Sequence, residues 1–280
     1  MWFVFPLTET GQGNSLNTGG YRLPVACPEQ EFRGLDNSNP DVMMLEKSQT
    51  MFITVFGQKG GVAKTCTSVH LAAIWAYQQK RVALIDADRN RSATAYGARE
   101  LLPYPVIPIE AAAKAARGAD IVVTDGQASS NEEELKNLVE GSDIIVLPTT
   151  PQSRSLELTV EMSTLLNNYR IPYAALLVKV DSRKKAAAQS AIEILSGFDI
   201  HVLDSQIPLL SAFESAETNG VTVDQSVDKR GRSHANRMTG WFAYEKACSE
   251  IEAIFKSYRE LNKPLSPIGW DYTPLEKRAA

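Results

Sequence analysis

The chain has few cysteines and no long apolar run. Only three of its 280 residues are cysteines (Cys27, Cys66 and Cys248), and they are widely spaced with no CxxC pair. This pattern fits a reducing compartment and argues against a disulfide framework or a zinc site. No apolar run approaches the roughly 18–20 residues that a membrane-spanning helix needs. The sequence therefore indicates neither a disulfide-stabilised protein nor a membrane-spanning one.

The chain also lacks a strong charge of either sign. Its formal net charge is −4, and 44% of its residues are hydrophobic and 22% charged, which is ordinary for a globular protein. Any contact with nucleic acid must therefore come from a local basic patch. The apolar opening of the chain, residues 1–6, is short and has no basic residue before it. It predicts no signal peptide.

Composition divides the chain into three parts. Residues 1–50 are rich in Gly, Asn, Ser and Pro without sustained periodicity, and we expect a poorly ordered N-terminal extension. Residues 263–280 contain several prolines and predict an irregular C-terminal tail. The intervening residues 51–262 are long enough to bury a core and predict one domain.

Within residues 51–262, apolar strand-like runs alternate with helical ones. Most of these runs are too continuously apolar for half-exposed antiparallel strands, which indicates a parallel sheet covered on both faces. We therefore predict an α/β fold, with a mostly parallel twisted sheet of about seven or eight strands and helices on both faces. A final amphipathic helix, from about Arg237 to Leu261, is expected to dock on the sheet. The strand candidates are Phe52–Phe56, Arg81–Ile85, Val106–Ile109, Ile121–Thr124, Ile144–Leu147, Tyr173–Val180 and Ile200–Asp204.

The segment from Gln58 to Thr65 lies between the first strand candidate and a helical run. A strand, a glycine-containing turn rich in lysine and then a helix is the layout of a phosphate-binding loop, whose N–H groups point at phosphate oxygens. Lys64 stands where such a loop needs a phosphate-binding lysine, and the Thr65 hydroxyl is suited to Mg²⁺. Lys59 is surplus to that task and indicates a second role. The general G-x-x-x-x-G-K-[ST] pattern fails, because Gln58 and Ala63 occupy its glycine positions.

Acidic residues follow two further strand candidates. Asp86 and Asp88 come after one buried strand, and Asp125 comes after another. In a parallel sheet, these strand ends lie beside the loop that follows the first strand. Each acid alone has a simpler explanation as a capping or turn residue. Their order and spacing together predict a P-loop NTPase that binds a nucleoside triphosphate with Mg²⁺.

Several segments resemble the ParA/MinD superfamily. The run KGGVAKT resembles its deviant Walker A motif, and VALIDADRNRSAT resembles its second motif. The later runs IIVLPTTP, LLVKVDSR and IPLLSAFESAETNGVTV are also similar, so the resemblance spans about Phe52 to Phe255. The run DGQASS looks closest to the short plasmid- and chromosome-partition ParA proteins. The resemblance implies an ATP hydrolase that converts ATP to ADP and phosphate and depends on Mg²⁺.

The resemblance also implies roles for particular residues. Lys59 matches the lysine that reaches the nucleotide of the partner subunit, and Lys64 matches the lysine that acts within its own subunit. Asp88 matches the acid that positions the attacking water, so the implied catalytic residues are Lys59, Lys64 and Asp88. The implied metal-binding residues are Thr65, Asp86 and Asp125. The implied nucleotide-binding residues are Lys59, Gly60, Gly61, Val62, Ala63, Lys64, Thr65, Cys66 and Pro208.

The chain departs from the family pattern at three positions. Ala63 places a methyl group where glycine is usual, which crowds the loop if the backbone needs a positive φ. Cys66 replaces a common hydroxyl residue, and we expect a small buried filler rather than a redox site. Lys179 stands where many relatives carry an asparagine that reads adenine.

The resemblance further implies a homodimer with ATP that binds DNA without sequence preference. Hydrolysis would respond to a cargo-bound, ParB-like activator, at a cytoplasmic and nucleoid-associated location without membrane contact. Two basic clusters are candidates for the DNA contact, although each can also be an ordinary solvated loop. They consist of Arg183, Lys184 and Lys185 and of Lys229, Arg230 and Arg232.

Two alternatives remain open on the same fold. A membrane-cycling ATPase of the MinD type needs a basic amphipathic C-terminal helix, and the proline-rich tail after Asn262 does not supply one. A metal-handling ATPase needs paired cysteine ligands, and the three cysteines are poorly placed for that. The leading expectation is an ATPase that partitions or positions a plasmid, a chromosome or a protein compartment.

Overall fold

A computed structural model describes residues 50–127, 132–169 and 171–261. The predicted N-terminal extension, except for Thr50, and the predicted C-terminal tail lie outside the described residues. The three-part division of the chain therefore stays a prediction. Among the described residues, no helix is both long and apolar enough to cross a bilayer.

The described domain is built on a seven-stranded sheet in which every paired strand is parallel. Its order is β3-β2-β4-β1-β5-β6-β7. The predicted parallel α/β architecture is confirmed, and each strand candidate corresponds to a strand. The strands are β1 (Met51–Val55), β2 (Val82–Asp86), β3 (Val106–Pro108), β4 (Ile121–Asp125), β5 (Ile144–Thr149), β6 (Tyr173–Val180) and β7 (Val202–Pro208).

Helices cover both faces of the sheet because alternate strand residues point to opposite sides. On one face, Ile53 and Val55 of β1 belong to a core that includes Trp75 and Ile251. On the other face, residues of β5 pack against Met162 and neighbouring helical side chains. The helices are α1 (Lys64–Tyr77), α2 (Ser92–Gly97), α3 (Ala112–Ala116), α4 (Glu132–Glu140), α5 (Ser153–Leu166), α6 (Lys185–Ser196), α7 (Ser211–Asn219) and α8 (Arg237–Leu261).

The long final helix docks as predicted. Tyr244, Ala247 and Ile251 of α8 are buried in the same core as α1. Trp75 of α1 donates a hydrogen bond from its indole nitrogen to Glu252, at 2.7 Å. The apolar stripe of α8 is therefore used inside the domain.

The strand order places the candidate site at the carboxyl edge of the sheet. Strand β1 lies between β4 and β5, and the loop that leads into α1 begins where β1 ends. Asp86 at the end of β2 is in register with Asp125 at the end of β4, which in turn pairs with Val55. In a parallel sheet with helices on both faces, ligands bind in a crevice at this edge.

Candidate functional site: a phosphate-binding loop and its cleft

Two residues of the loop that runs from Gln58 to Thr65 have left-handed backbone conformations. Gly61 has a φ of 80°, and Ala63, which caps α1, has a φ of 58°. The crowding expected at Ala63 therefore applies, because its methyl group sits in a conformation that glycine adopts freely. The N–H groups of the first turn of α1 open onto this loop, as an anion site requires.

Lys64 is held at the loop by its own backbone. Its ammonium group donates a hydrogen bond to the carbonyl oxygen of Lys59 at 3.2 Å, and the residue is only 8% exposed. Burial lowers the pKa of Lys64, while the nearby carboxylates of Asp125 and Asp88 act in the opposite direction. A partly desolvated cation next to helix N–H groups is well suited to bind phosphate oxygens.

Asp125 is buried against two hydroxyl groups of α1. Thr65 donates to one of its oxygens at 2.7 Å, and Ser68 donates to the other at 3.0 Å. Burial raises the pKa of Asp125 to about 6, and these two hydrogen bonds oppose the rise. A hydroxyl beside a carboxylate is an oxygen donor set that suits Mg²⁺. Ser68 escaped the sequence prediction, although its spacing from Thr65 places both on one face of α1.

The acids that follow β2 have different surroundings. Asp86 is buried, and Thr94 donates to its Oδ2 from both the backbone N–H (2.7 Å) and the hydroxyl (2.6 Å). The N–H of Asp88 donates to Oδ1 of Asp86 at 3.2 Å, and Oδ1 of Asp88 accepts from the N–H of Asn90 at 2.9 Å. The described contacts of Asp86 thus hold the turn that presents Asp88, and its metal role stays a prediction.

A cleft of about 370 Å³ opens beside the loop. One part carries Lys64, Thr65 and Asp88, and another is apolar and includes Ile207 and Phe213. A charged part next to an apolar part fits the phosphates and the base of a nucleotide. Among the predicted nucleotide-binding residues, those that line the cleft are Gly60, Gly61, Ala63, Lys64, Thr65, Cys66 and Pro208.

Lys59 and Val62 are the predicted nucleotide-binding residues that do not line this cleft. Val62 is buried in the domain. Lys59 borders a separate small cavity on the side of Pro148 and Met162. Its ammonium group makes no hydrogen bond or ion pair within the described ranges, although its carbonyl oxygen holds Lys64. The loop therefore places Lys64 in the cleft and Lys59 outside it.

An aromatic cluster that the sequence did not reveal supports one wall of the cleft. Phe213 and Tyr244 line it, and the buried His70 stacks on Tyr244 with ring centroids 5.0 Å apart. The N–H of Val223 donates to Nε2 of His70 at 3.0 Å, so Nδ1 carries the proton and donates to the carbonyl oxygen of Cys66 at 2.7 Å. Burial lowers the pKa of His70 to about 4.

Cys66 lies between this cluster and the loop. Its sulfur atom is 3.6 Å from Nδ1 of His70 and 3.8 Å from the hydroxyl oxygen of Tyr244. Burial raises the pKa of the Cys66 thiol to about 12, so the reactive thiolate is not formed at neutral pH. The high pKa agrees with the expectation that Cys66 is not a redox site, whereas the expected full burial is not found, because Cys66 is half-buried and lines the cleft. Within the described residues, no cluster of three or more His, Cys, Asp or Glu residues could hold a metal ion.

Lys179 reaches the loop from the other side of the cleft. It precedes the last residue of β6, has a φ of 55°, and lies where the pairing of β6 with β7 shifts register. Its ammonium group donates a hydrogen bond to the carbonyl oxygen of Gly61 at 2.8 Å. Residue Lys179 therefore belongs to the cleft.

The two basic clusters differ from the site in exposure and pairing. Arg183 forms an ion pair with Asp181, and Arg232 forms one with Asp228, each at 2.8 Å. The remaining four cations are exposed and make no ion pair with the described part of the chain. They are Lys184, Lys185, Lys229 and Arg230.

Fold and site together define a nucleotide-binding protein with a phosphate-binding loop. The family model of the CobQ/CobB/MinD/ParA nucleotide binding domain matches residues 53–223, which is more than half of the chain. The chain belongs to this family, and the resemblance to the ParA/MinD superfamily is confirmed.

Known proteins similar to the chain include these three, two similar in sequence and one in fold. It is 29% identical to the maintenance of carboxysome distribution protein A of Gloeobacter kilaueensis over 191 residues, which cover 64% of this chain and 87% of that protein. It is 26% identical to the chromosome-partitioning ATPase Soj of Thermus thermophilus over 245 residues, 72% of this chain and 95% of that protein.

The third protein is a solved structure. The septum site-determining protein MinD of Pyrococcus horikoshii OT3, complexed with Mg-ADP, matches with a TM-score of 0.55 and 16% identity. The match covers 75% of this chain and 98% of that one. At this identity, the likeness establishes the shared fold.

Proposed function

We propose that the chain is a dimerising ATPase that uses Mg²⁺ and ATP to position or partition a cargo along DNA. One observation carries the proposal: Lys64, Thr65 and Asp88 face a single cleft at the phosphate-binding loop, while Lys59 lies outside it. The names of the two sequence relatives, one a distribution protein and one a partitioning ATPase, support a positioning task.

The residues of the cleft divide the catalytic work. Lys64 and the N–H groups of α1 bind and orient the phosphates, and Asp88 holds the attacking water in line. Thr65 and Asp125 would hold Mg²⁺, which would supply positive charge next to the phosphate oxygens. Phosphoryl transfer depends on such positioning and charge stabilisation more than on covalent steps.

Lys59 supplies the link between hydrolysis and pairing. Its ammonium group has no partner in the described part of the chain and does not face its own cleft. In a dimer whose two clefts face each other, each Lys59 contacts the nucleotide of the partner subunit. Arginine fingers, which likewise bring a cation to the transferred phosphate, contribute about 10³–10⁵-fold to hydrolysis in P-loop NTPases.

The ATP-dependent dimer binds DNA during this ATPase cycle. The exposed cations Lys184, Lys185, Lys229 and Arg230 are doubled in a dimer and contact phosphates without reading bases. A cargo-bound activator of the ParB type stimulates hydrolysis and releases the dimer. The protein accordingly associates with the nucleoid in the cytoplasm.

A co-sedimentation experiment tests this function. Purified protein is mixed with DNA in the presence of ATP, ADP or no nucleotide, and the series is repeated with liposomes of anionic phospholipid. We expect retention on DNA with ATP alone, together with release of phosphate from ATP. Retention on liposomes but not on DNA would contradict the proposal and favour a cycle of the MinD type.

A further inference from the structure

The carbonyl oxygens of the phosphate-binding loop hold two ammonium groups. Lys64 binds the carbonyl of Lys59 at 3.2 Å, and Lys179 binds the carbonyl of Gly61, two residues further on, at 2.8 Å. Both lysines line the same cleft. Lys64 belongs to α1, the helix that follows the loop. Lys179 belongs to β6, which lies two strands away from β1 in the sheet.

The position of Lys179 is maintained by the backbone. A φ of 55° is uncommon for a residue other than glycine, and such conformations persist where the surrounding structure enforces them. The register shift between β6 and β7 lies at the same place, between Leu177 and Val180. This irregularity turns the end of β6 so that the side chain of Lys179 crosses to Gly61.

The chemistry of the lysine limits what it can bind. An ammonium group has three N–H donors and no acceptor, and the described contacts of Lys179 use one donor. It therefore cannot accept a hydrogen bond from the amino group of a base. Phosphate oxygens, which accept hydrogen bonds and carry negative charge, match the remaining donors.

The position of Lys179 in the cleft indicates which phosphates of the nucleotide it contacts. The backbone of Lys179 lies beside the apolar part of the cleft, because its neighbour Val180 pairs with Pro208. Its ammonium group lies at the loop. Asp88 and Thr65 belong to the part of the cleft that holds the terminal phosphate in the proposed function. Lys179 thus meets the phosphate chain between the base and the terminal phosphate.

We propose that Lys179 is a second nucleotide-binding cation of the cleft, which contacts the phosphates common to ATP and ADP. This inference rests on the proposed function, since it requires a nucleotide in the cleft. It assigns to Lys179 an affinity role that is separate from the hydrolytic roles of Lys59 and Asp88.

Nucleotide affinities test the assignment. The dissociation constants of ATP and ADP are measured by calorimetry for the wild type, for the neutral variants Lys179→Met and Lys179→Gln, and for Lys179→Arg. We expect both neutral variants to raise both constants about tenfold or more, by equal factors, and the arginine variant to retain most of the affinity. The dependence of affinity on salt should be shallower in the neutral variants.

Lys114→Met is the matched control, because Lys114 is an exposed lysine on α3 that lies outside the cleft and outside both basic clusters. It should leave both constants unchanged. Equal affinities of the wild type and the neutral variants would overturn the assignment, as would a loss confined to ATP. A changed preference between ATP and GTP would show that Lys179 contacts the base instead. If the wild type itself binds no ATP, the proposed function fails; if only the Lys179 effect is absent, the function stands.

Discussion

The methyl group of Ala63 strains the backbone at the residue that precedes α1. The residue before α1 has a φ of 58°, in which the β-carbon of an L-residue crowds the following carbonyl oxygen. Glycine has no such penalty but loses more chain entropy on folding. At this position the steric cost exceeds the entropic one, because the left-handed conformation is enforced by the turn into α1.

We therefore expect Ala63→Gly to stabilise the domain by about 1 kcal/mol. The free energy of unfolding in urea, measured without nucleotide, checks this. Ala98→Gly is the matched control, since Ala98 is exposed and has a right-handed helical conformation, and it should destabilise by roughly 0.5–1 kcal/mol. Destabilisation by both variants would mean that Ala63 is not strained.

At the scale of elements, His70 joins α1 to the segment that contains Val223. The ring donates to the carbonyl of Cys66 and accepts from the N–H of Val223, so both nitrogens are used only when the ring is neutral. Burial lowers its pKa to about 4, from an ordinary value of 6.5. Between these values the unfolded chain binds a proton that the folded domain does not. The stabilisation is thus complete above pH 6.5 and is lost as the pH falls towards 4.

His70→Gln removes this pH dependence. The difference in unfolding free energy between the wild type and the variant should shrink by about 2 kcal/mol between pH 7 and pH 5. Urea unfolding of both proteins across that range measures it. The comparison cancels the contribution of other groups, including Asp125, whose raised pKa acts in the opposite direction. A difference that stays constant with pH would show that folding does not lower the pKa of His70.

The elements also show what sequence can predict here. The strands were predictable because continuous apolar runs are long and separated by clear turns, and α8 was predictable from its helical spacing. Helix α2 was not, since its six residues carry no periodicity and its first turn is anchored by Asp86 through Thr94.

The candidate site was also predictable only in part. Lys64, Thr65 and Asp125 follow from local motifs and from the rule that parallel strand ends share one edge. Three features escaped the sequence: the Ser68 contact, the aromatic wall and the bond from Lys179 to Gly61. Each joins residues through packing between elements, which a local pattern does not encode.

At the scale of the whole molecule, a net charge of −4 means that the proposed DNA binding would depend on local cations. Lys184→Glu combined with Lys185→Glu should weaken DNA retention with ATP and make its salt dependence shallower, by about one unit of slope per lost phosphate contact. DNA retention as a function of salt concentration measures this.

A double variant of equal charge separates a local effect from a global one. Lys114→Glu combined with Lys136→Glu changes two exposed lysines on α3 and α4, outside the basic clusters. It should retain DNA better than the Lys184 and Lys185 variant. Equal losses would indicate that only net charge matters and would remove the first cluster from the DNA contact.

The central claim is that Lys59 completes the site of the partner subunit, and mixing two inactive variants tests it most directly. Lys59→Ala and Asp88→Ala should each abolish most ATP hydrolysis. In a mixed dimer, the subunit with Lys59→Ala retains its own Asp88 and Lys64 and receives Lys59 from its partner, so one complete site forms.

Mixed in equal amounts, the two variants should recover about one quarter of the wild-type rate of phosphate release, because half of the dimers are mixed and each has one complete site. Sedimentation of the mixture with ATP verifies that dimers form. If dimers form and hydrolysis stays at the level of the separate variants, Lys59 does not act across the interface and the account is wrong.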